Sequence, residues 1–182
     1  MSNSDGPRGF TVIGRMGGGE PHRQEYDVDN GTATAIYQGD LVKLETDGKM
    51  AVMAAASDDY GGVVEAVYDT NHKPVSSLAA STAGIVLVCD DPWAILQAQT
   101  EDGGTALTQA AIGDSTDAKW SHAGSGARAG VELDETLKGD GNSGQFRIIA
   151  KAPIPGNNWS EHYIKLHVIA NEHAYKAATV AI

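Results

Sequence analysis

Three histidines near the end of the chain, His162, His167 and His173, are residue types that bind metal ions. Residues 162 and 167 are separated by an odd number of positions, so on one continuous strand they point to opposite faces. No cysteine pair or tight carboxylate spacing of the kind found in zinc sites accompanies them. The sequence therefore predicts no metal site and no cofactor, and it favours surface or interface positions for these histidines.

Several acidic residues are grouped closely enough to supply a general acid and a general base, as in glycosidases. They are Asp58-Asp59, Asp69 and Asp90-Asp91. Adjacent acids in loops more commonly keep the edges of sheets soluble. We therefore expect a protein without catalytic activity, and a hydrolase that uses loop carboxylates is kept as an alternative.

Two glycine-rich segments resemble ligand-binding loops, but each lacks a required residue. Residues 140–144 resemble the start of a calcium loop, yet the pattern breaks at Ser143-Gly144 and the twelfth position is Lys151 rather than Glu. Residues 14–19 could follow a strand as a phosphate loop does, but the Gly-Lys-Ser/Thr ending is missing and Pro21 follows in place of a helix. The sequence predicts a hairpin turn and a flexible hinge, respectively.

Composition and charge limit the classes of partner. The 182 residues suit a single domain and carry a formal net charge of −11, which argues against nucleic-acid binding because phosphate contacts need clustered Lys and Arg. Residues 1–23 have a formal net charge of +1, so the remainder of the chain carries −12.

The only cysteine, Cys89, lies in an apolar run and is expected to be a buried, inert thiol. No apolar stretch approaches the roughly 20 residues of a membrane span, and no signal peptide is evident. We expect a soluble protein that is made in the cytoplasm.

Short strands must position these residues. Alternating or continuous apolar runs and an Asp-Gly turn at residues 47–48 predict a mainly β fold, a small antiparallel β-barrel or β-sandwich with long loops, in residues 31–182. Residues 93–99 fit a strand or a helical turn, as do residues 105–111, and residues 113–130 predict a long surface excursion. The predicted strands cover residues 34–37, 41–45, 50–53, 62–68, 85–89, 131–137, 145–151 and 163–170.

Residues 1–30 predict an extended N-terminal arm, because one apolar cluster at residues 10–13 is surrounded by Gly and Pro and is too small to fold alone. A mildly basic arm on an acidic body is typical of a segment that lies on another surface. Residues 1–24 are therefore expected to be mobile in the free protein. The predicted contact residues are the apolar anchors Phe10, Val12 and Ile13 and the basic residues Arg8 and Arg15.

Five segments, in the same order along the chain, resemble the capsid decoration (cement) proteins of tailed bacteriophages. They are the opening at residues 3–10, the Gly-Asp-x-Val segment at 39–42, residues 84–93, the Gly/Ser loop with Glu-Leu-Asp at 124–134, and Ala-Asn-Glu-His at 170–173. The Gly17-Gly18-Gly19 run is shorter than the linkers of that family. No single motif is specific, and their shared order carries the resemblance.

The resemblance implies a non-enzymatic virion component on the outer capsid surface that binds the major capsid protein, bridges adjacent capsomers and forms a homo-oligomer, with a trimer favoured. The apolar end of the chain, residues 177–182, is expected to pack between subunits. A carbohydrate-binding or host-attachment module is a further alternative. That module would expose its aromatic side chains together, and Trp93, Trp120 and Trp159 are the candidates.

Overall fold

The computed structural model describes residues 3–28, 31, 33–120, 129–139 and 144–176. Within these ranges the regular structure is antiparallel β-strand with a single 3-10 turn, Gln109–Ala111, which confirms the predicted mainly β fold. The strands are β1 Thr11–Arg15, β2 Arg23–Val28, β3 Ile36–Tyr37, β4 Leu41–Leu44, β5 Met50–Val52, β6 Gly62–Tyr68, β7 Ser77–Leu78, β8 Gly84–Cys89, β9 Ala94–Gln99, β10 Ser115–Thr116, β11 Ala118–Lys119, β12 Glu132–Leu133, β13 Phe146–Lys151 and β14 Lys165–Ala170.

Two five-stranded sheets form the body of the molecule. Sheet A has the strand order β1-β9-β14-β13-β10, and sheet B has the order β2-β8-β6-β4-β5. Two small ribbons, β3-β7 and β11-β12, complete the described strands. Neither sheet closes on itself, so of the two predicted architectures the arrangement is compatible with the sandwich and not with the barrel.

The first core lies between the two sheets. Leu96 and Leu166 of sheet A are fully buried there together with Leu41 and Val63 of sheet B. Along β14 buried and partly exposed residues alternate, as the period-two pattern of residues 163–170 predicts. Sheet A therefore buries one face and leaves the other partly open.

The second core lies on the opposite face of sheet B, where Val42, Val64, Val86 and Val88 are fully buried. The ribbon β3-β7 contributes Ile36 and Leu78 to the same cluster, and the edge strands β2 and β5 come into contact. Burial on both faces explains why β8 is a continuous apolar run rather than an alternating one. Its prediction as a central strand is confirmed, since β8 lies between β2 and β6.

The N-terminal segment differs from the predicted arm. β1 pairs with β9 at the edge of sheet A, and β2 pairs with β8 over six residues at the edge of sheet B. Before β1, the backbone N–H of Asn3 donates to Glu161 at 2.8 Å, so the opening residues lie against the body of the same chain. Long-range backbone pairing and core burial supply the stabilisation that the local sequence lacks. Residues 11–15 and 23–28 are thus parts of the two sheets rather than of a mobile arm.

Of three other predictions, one is confirmed and two meet the structure only in part. The Asp-Gly turn is confirmed, with Gly48 at φ +83° between β4 and β5. The predicted strand at 131–137 shortens to β12, and the predicted surface excursion includes β10 and β11, where Ser115, Thr116 and Ala118 are buried. The tip of the turn at 140–143, most of the Gly/Ser loop at 121–128 and the end at 177–182 lie outside the described residues.

No helix in the described ranges is long and apolar enough to cross a membrane.

Candidate functional site

Three of the five motifs that carry the family resemblance meet at one junction. The backbone N–H of Phe10 donates to Gly39 O at 2.9 Å, and that of Ala129 donates to Gln38 O at 3.1 Å. Gly9 and Gly39 have φ values of +68° and +91°, which L side chains rarely adopt. A Cβ at Gly9 would lie 2.3 Å from Gly39 O. The opening, the Gly-Asp segment and the end of the Gly/Ser loop are therefore held together by backbone contacts that exclude side chains.

A chain of aromatic rings extends this junction to the last motif. Phe10 packs on Phe146 with ring centroids 5.0 Å apart, and Phe146 contacts Tyr60 at 5.2 Å. Tyr60 then contacts His173 edge-on at 5.0 Å, and His173 lies beside Tyr175 at 5.7 Å. Aromatic pairs at these separations add stability beyond the area they bury. The first and last motifs of the chain thus support one core.

The five predicted contact residues are not equivalent in the structure. Phe10 is 2% exposed and belongs to the core, and Val12 is partly buried against it. Ile13 is 44% exposed beside a bulge in β1, and Arg8 is exposed. Arg15 donates from Nε to Asp91 at 2.6 Å. Of the three predicted apolar anchors, only Ile13 is on the surface.

A pocket of about 380 Å³ opens where β1, β2 and the β8–β9 connection come together. It brings Asp90-Asp91, the acidic pair that the sequence singled out, next to one of the candidate tryptophans. The residues that line it are Arg15, His22, Gln24, Tyr26, Asp90, Asp91, Pro92, Trp93 and Tyr175.

The Asp91 carboxylate is held by three donors. Besides Arg15, the backbone N–H of His22 donates to Oδ2 at 3.1 Å and that of Trp93 donates to Oδ1 at 2.8 Å. Burial opposes ionisation of Asp91, but these hydrogen bonds outweigh it and the pKa of the carboxyl lies below its ordinary value. Asp91 is therefore an ionised, structurally committed group that fixes β1 and β2 beside β9.

Asp90 anchors a second network on the same side of the pocket. His22 Nδ1 lies 2.5 Å from one carboxylate oxygen, and the hydroxyl of Tyr26 donates to the other at 2.6 Å. The hydroxyl of Tyr175 lies 2.9 Å from that of Tyr26. Because the proton of Tyr26 is used on Asp90, Tyr175 donates to the Tyr26 oxygen. Burial and these bonds raise the pKa of Tyr26, so it stays a neutral donor.

Two half-exposed rings form the apolar part of the pocket wall. Trp93 is 48% exposed and Tyr175 is 49% exposed. The ammonium of Lys176 lies 4.5 Å from the centroid of the Trp93 ring, a cation–π contact, and Lys176 does not line the pocket. Trp120 and Trp159, the other candidates, pack against the first core. The three tryptophans therefore do not form one exposed face.

The three histidines near the end of the chain are dispersed. His162 Nδ1 lies 2.7 Å from Glu135, and His167 is on the partly open face of sheet A. His173 is buried as one ring of the aromatic chain, so its predicted surface position is wrong. Burial lowers the pKa of His173 to about 4, which keeps its ring neutral. In the described part of the chain no group of three His, Cys, Asp or Glu residues is placed to hold a metal ion.

Sequence reasoning identified Asp90-Asp91 and Trp93, but not their partners. His22, Tyr26 and Tyr175 lie 64 or more positions away from them along the chain and reach the pocket only through the pairing of β2 with β8 and the path after β14. The apolar residues Tyr26 and Val28 flank Asp27 in the sequence, and this period-two spacing could have indicated β2.

Comparisons with protein-family models, with curated proteins and with solved structures gave no match to the chain. The resemblance to capsid decoration proteins therefore stays a prediction.

Proposed function

We propose that the chain is a non-enzymatic decoration protein that binds the outer surface of a tailed-bacteriophage capsid. The observation that supports this is the order of the five motifs along the chain, together with the backbone and aromatic contacts that join four of them. These contacts give the motifs a shared physical role, because they hold the opening segment, the loops and the segment after β14 in one arrangement. The partner is the major capsid protein, and the site of action is the virion surface after synthesis in the host cytoplasm.

The protein acts by bridging capsomers. A rigid body that touches more than one capsid subunit turns its second contact into an intramolecular step with a high effective concentration. A homotrimer multiplies the number of such contacts, so several must break together before neighbouring capsomers separate. The net charge of −11 favours a protein partner over nucleic acid.

The contact surface includes exposed residues of β1 and of the segment just before it. Arg8 and Ile13 are on the surface, and Arg15 is ion-paired while its side chain is still 36% exposed. Phe10 and Val12 support this surface from inside the first core rather than touching the capsid. Exposed apolar residues near the centre of an interface contribute more to affinity than charges at its rim, so Ile13 is expected to matter more than Arg8.

Cosedimentation with capsids tests the proposal. Purified protein is mixed with unexpanded shells and with mature particles assembled from the major capsid protein of the same genome. We expect saturable binding to the mature particles, with Ile13→Asp weakening it at least about tenfold. Ile112→Asp is the matched control, because Ile112 is 45% exposed at a distant 3-10 turn and should leave binding unchanged.

Absence of binding to either type of particle would refute the proposed function. If Ile13→Asp and the intact protein bind equally strongly, the proposed function stands, but β1 is not part of the contact surface.

A further inference from the structure

We infer that the pocket between β1, β2 and the β8–β9 connection binds a neutral carbohydrate. This inference goes beyond capsid binding and does not depend on it. Its basis is the combination of half-exposed rings with several hydrogen-bonded polar groups in one open depression, and Arg15 is the one residue of this lining that the proposed capsid contact surface also includes.

The size of the pocket suits a small ligand. Its volume of about 380 Å³ lies within the range of roughly 300–1,000 Å³ that is typical of small-molecule sites. Such sites combine apolar walls with a few convergent polar groups. Here Trp93 and Tyr175 are the apolar walls, and His22, Gln24 and Arg15 are among the polar groups.

The electrostatics of the pocket disfavour a metal ion or a strongly charged ligand. The two carboxylates accept five hydrogen bonds from the protein itself, three on Asp91 and two on Asp90. Arg15 offsets the charge of Asp91 at 2.6 Å. A cation would compete with all of these donors, and an anion would lie next to two carboxylates. A neutral ligand meets neither obstacle.

The pocket instead offers both donors and acceptors, as hydroxyl groups require. The oxygen of Tyr175 is an acceptor, as is Oε1 of Gln24, and Nε2 of His22 accepts in the tautomer that donates from Nδ1 to Asp90. The amide of Gln24 and the guanidinium of Arg15 supply donors. Each sugar hydroxyl can donate and accept at once, so it can satisfy both kinds of group.

The aromatic wall of the pocket can pack against the apolar face of a sugar ring. A pyranose presents C–H groups on one face, and these pack against the electron-rich face of an indole. Trp93 keeps about half of its surface open although Lys176 contacts its ring. The backbone N–H of Trp93 is fixed on Asp91, so the backbone that carries the indole is already ordered before a ligand binds.

Saturation-transfer difference NMR on the purified full-length protein tests this inference. The probes are maltohexaose, cellohexaose, mannohexaose and hexa-N-acetylchitohexaose, with trigalacturonate and chitosan hexamer as charged comparisons. We expect saturable transfer to at least one neutral probe and none to the charged ones. Quenching of tryptophan fluorescence by the same probe gives an independent affinity.

Variants locate the site. Trp93→Ala should weaken binding at least about tenfold, Trp93→Phe should weaken it less, and Gln24→Ala should also weaken it. Ile112→Ala, at an equally exposed apolar residue outside the pocket, should leave binding unchanged. Thermal melts establish that each variant is folded, and Gln24→Ala preserves the test should Trp93→Ala fail to fold, because Gln24 is exposed.

Each alternative outcome would overturn the inference. Transfer to no neutral probe, transfer only to the charged probes, or binding that survives both Trp93→Ala and Gln24→Ala would each exclude a neutral-carbohydrate site in this pocket. Since no capsid is present in these measurements, their failure is distinct from a failure of the proposed function.

Discussion

At the scale of single residues, Gly39 decides whether the N-terminal segment can dock. It has φ +91°, and an added Cβ would lie 2.6 Å from Arg8 O. We expect Gly39→Ala to lower the free energy of unfolding by more than about 2 kcal/mol, measured by urea denaturation. Gly6→Ala is the matched control, because nothing lies within 4 Å of a Cβ there, and its effect should stay within about 0.5 kcal/mol. Equal effects of the two substitutions would contradict this account.

Two neighbours in β8 provide a second test at this scale. Val88 is fully buried in the second core, whereas Leu87 is the one residue of the strand that is only partly buried. The sequence alone suggests a loss of about 2–5 kcal/mol for Leu87→Ala, the range for a buried leucine. The structure changes this expectation to about 1 kcal/mol, while Val88→Ala should lose about 2–3 kcal/mol. Chemical denaturation that ranks Leu87→Ala as the more harmful substitution would contradict the deeper burial of Val88.

At the scale of elements, β1 is an integral edge strand, and substitutions at Phe10, just before it, and at Ile13, within it, should separate folding from binding. Phe10→Ala removes a ring that contacts Phe146 in the first core, so it should cost about 3–5 kcal/mol of stability. Ile13→Ala, three positions later on the surface, should change stability by less than about 0.5 kcal/mol. Differential scanning calorimetry measures both. A Phe10→Ala protein that melts at the same temperature as the intact one would support the mobile N-terminal arm predicted from the sequence.

The strands that sequence analysis located are those in which the pattern of apolar and polar residues matches the burial of the strand. β6, β8 and β14 carry apolar runs or strict alternation, and their predicted bounds differ from the observed ones by at most two residues. β2 was missed because four of its six residues are exposed, so its strand state comes from pairing with β8 rather than from local composition. Non-local pairing of this kind leaves little trace in a single segment.

The predicted arm was misassigned for a related reason. Phe10 packs on Phe146 and donates its backbone N–H to Gly39, while Gly9 before it lies against Ala129. These partners are far away in sequence, so composition alone could not indicate them. The pocket shows the same limit. Its acids and Trp93 were recognisable by type, but the hydrogen-bond partners that decide what the acids do are assembled by the fold.

At the scale of the whole molecule, two buried titratable groups give pH dependences of opposite sign. Burial lowers the pKa of His173 to about 4, so the unfolded chain binds more protons below about pH 6.5 and stability falls as the pH falls. Burial raises the pKa of Asp40 to about 7, so the folded chain binds more protons between about pH 4 and 7 and stability falls as the pH rises. Between pH 8 and 5 the two effects are of similar size, about 2 kcal/mol each, and offset one another.

Single substitutions should therefore reveal a pH dependence of stability that is cancelled in the intact protein. Asp40→Asn keeps an acceptor for the N–H of Tyr37, which donates to Asp40 at 2.7 Å, but removes the charge. This variant should be more stable than the intact protein at pH 8 and should lose that advantage by pH 5. His173→Gln removes the titrating ring beside Tyr60 and should give the opposite slope, with stability rising as the pH falls. Urea denaturation at pH 8, 6.5 and 5 measures both slopes. Profiles of the two variants that run parallel to that of the intact protein would show that neither group is held away from its ordinary pKa by the fold.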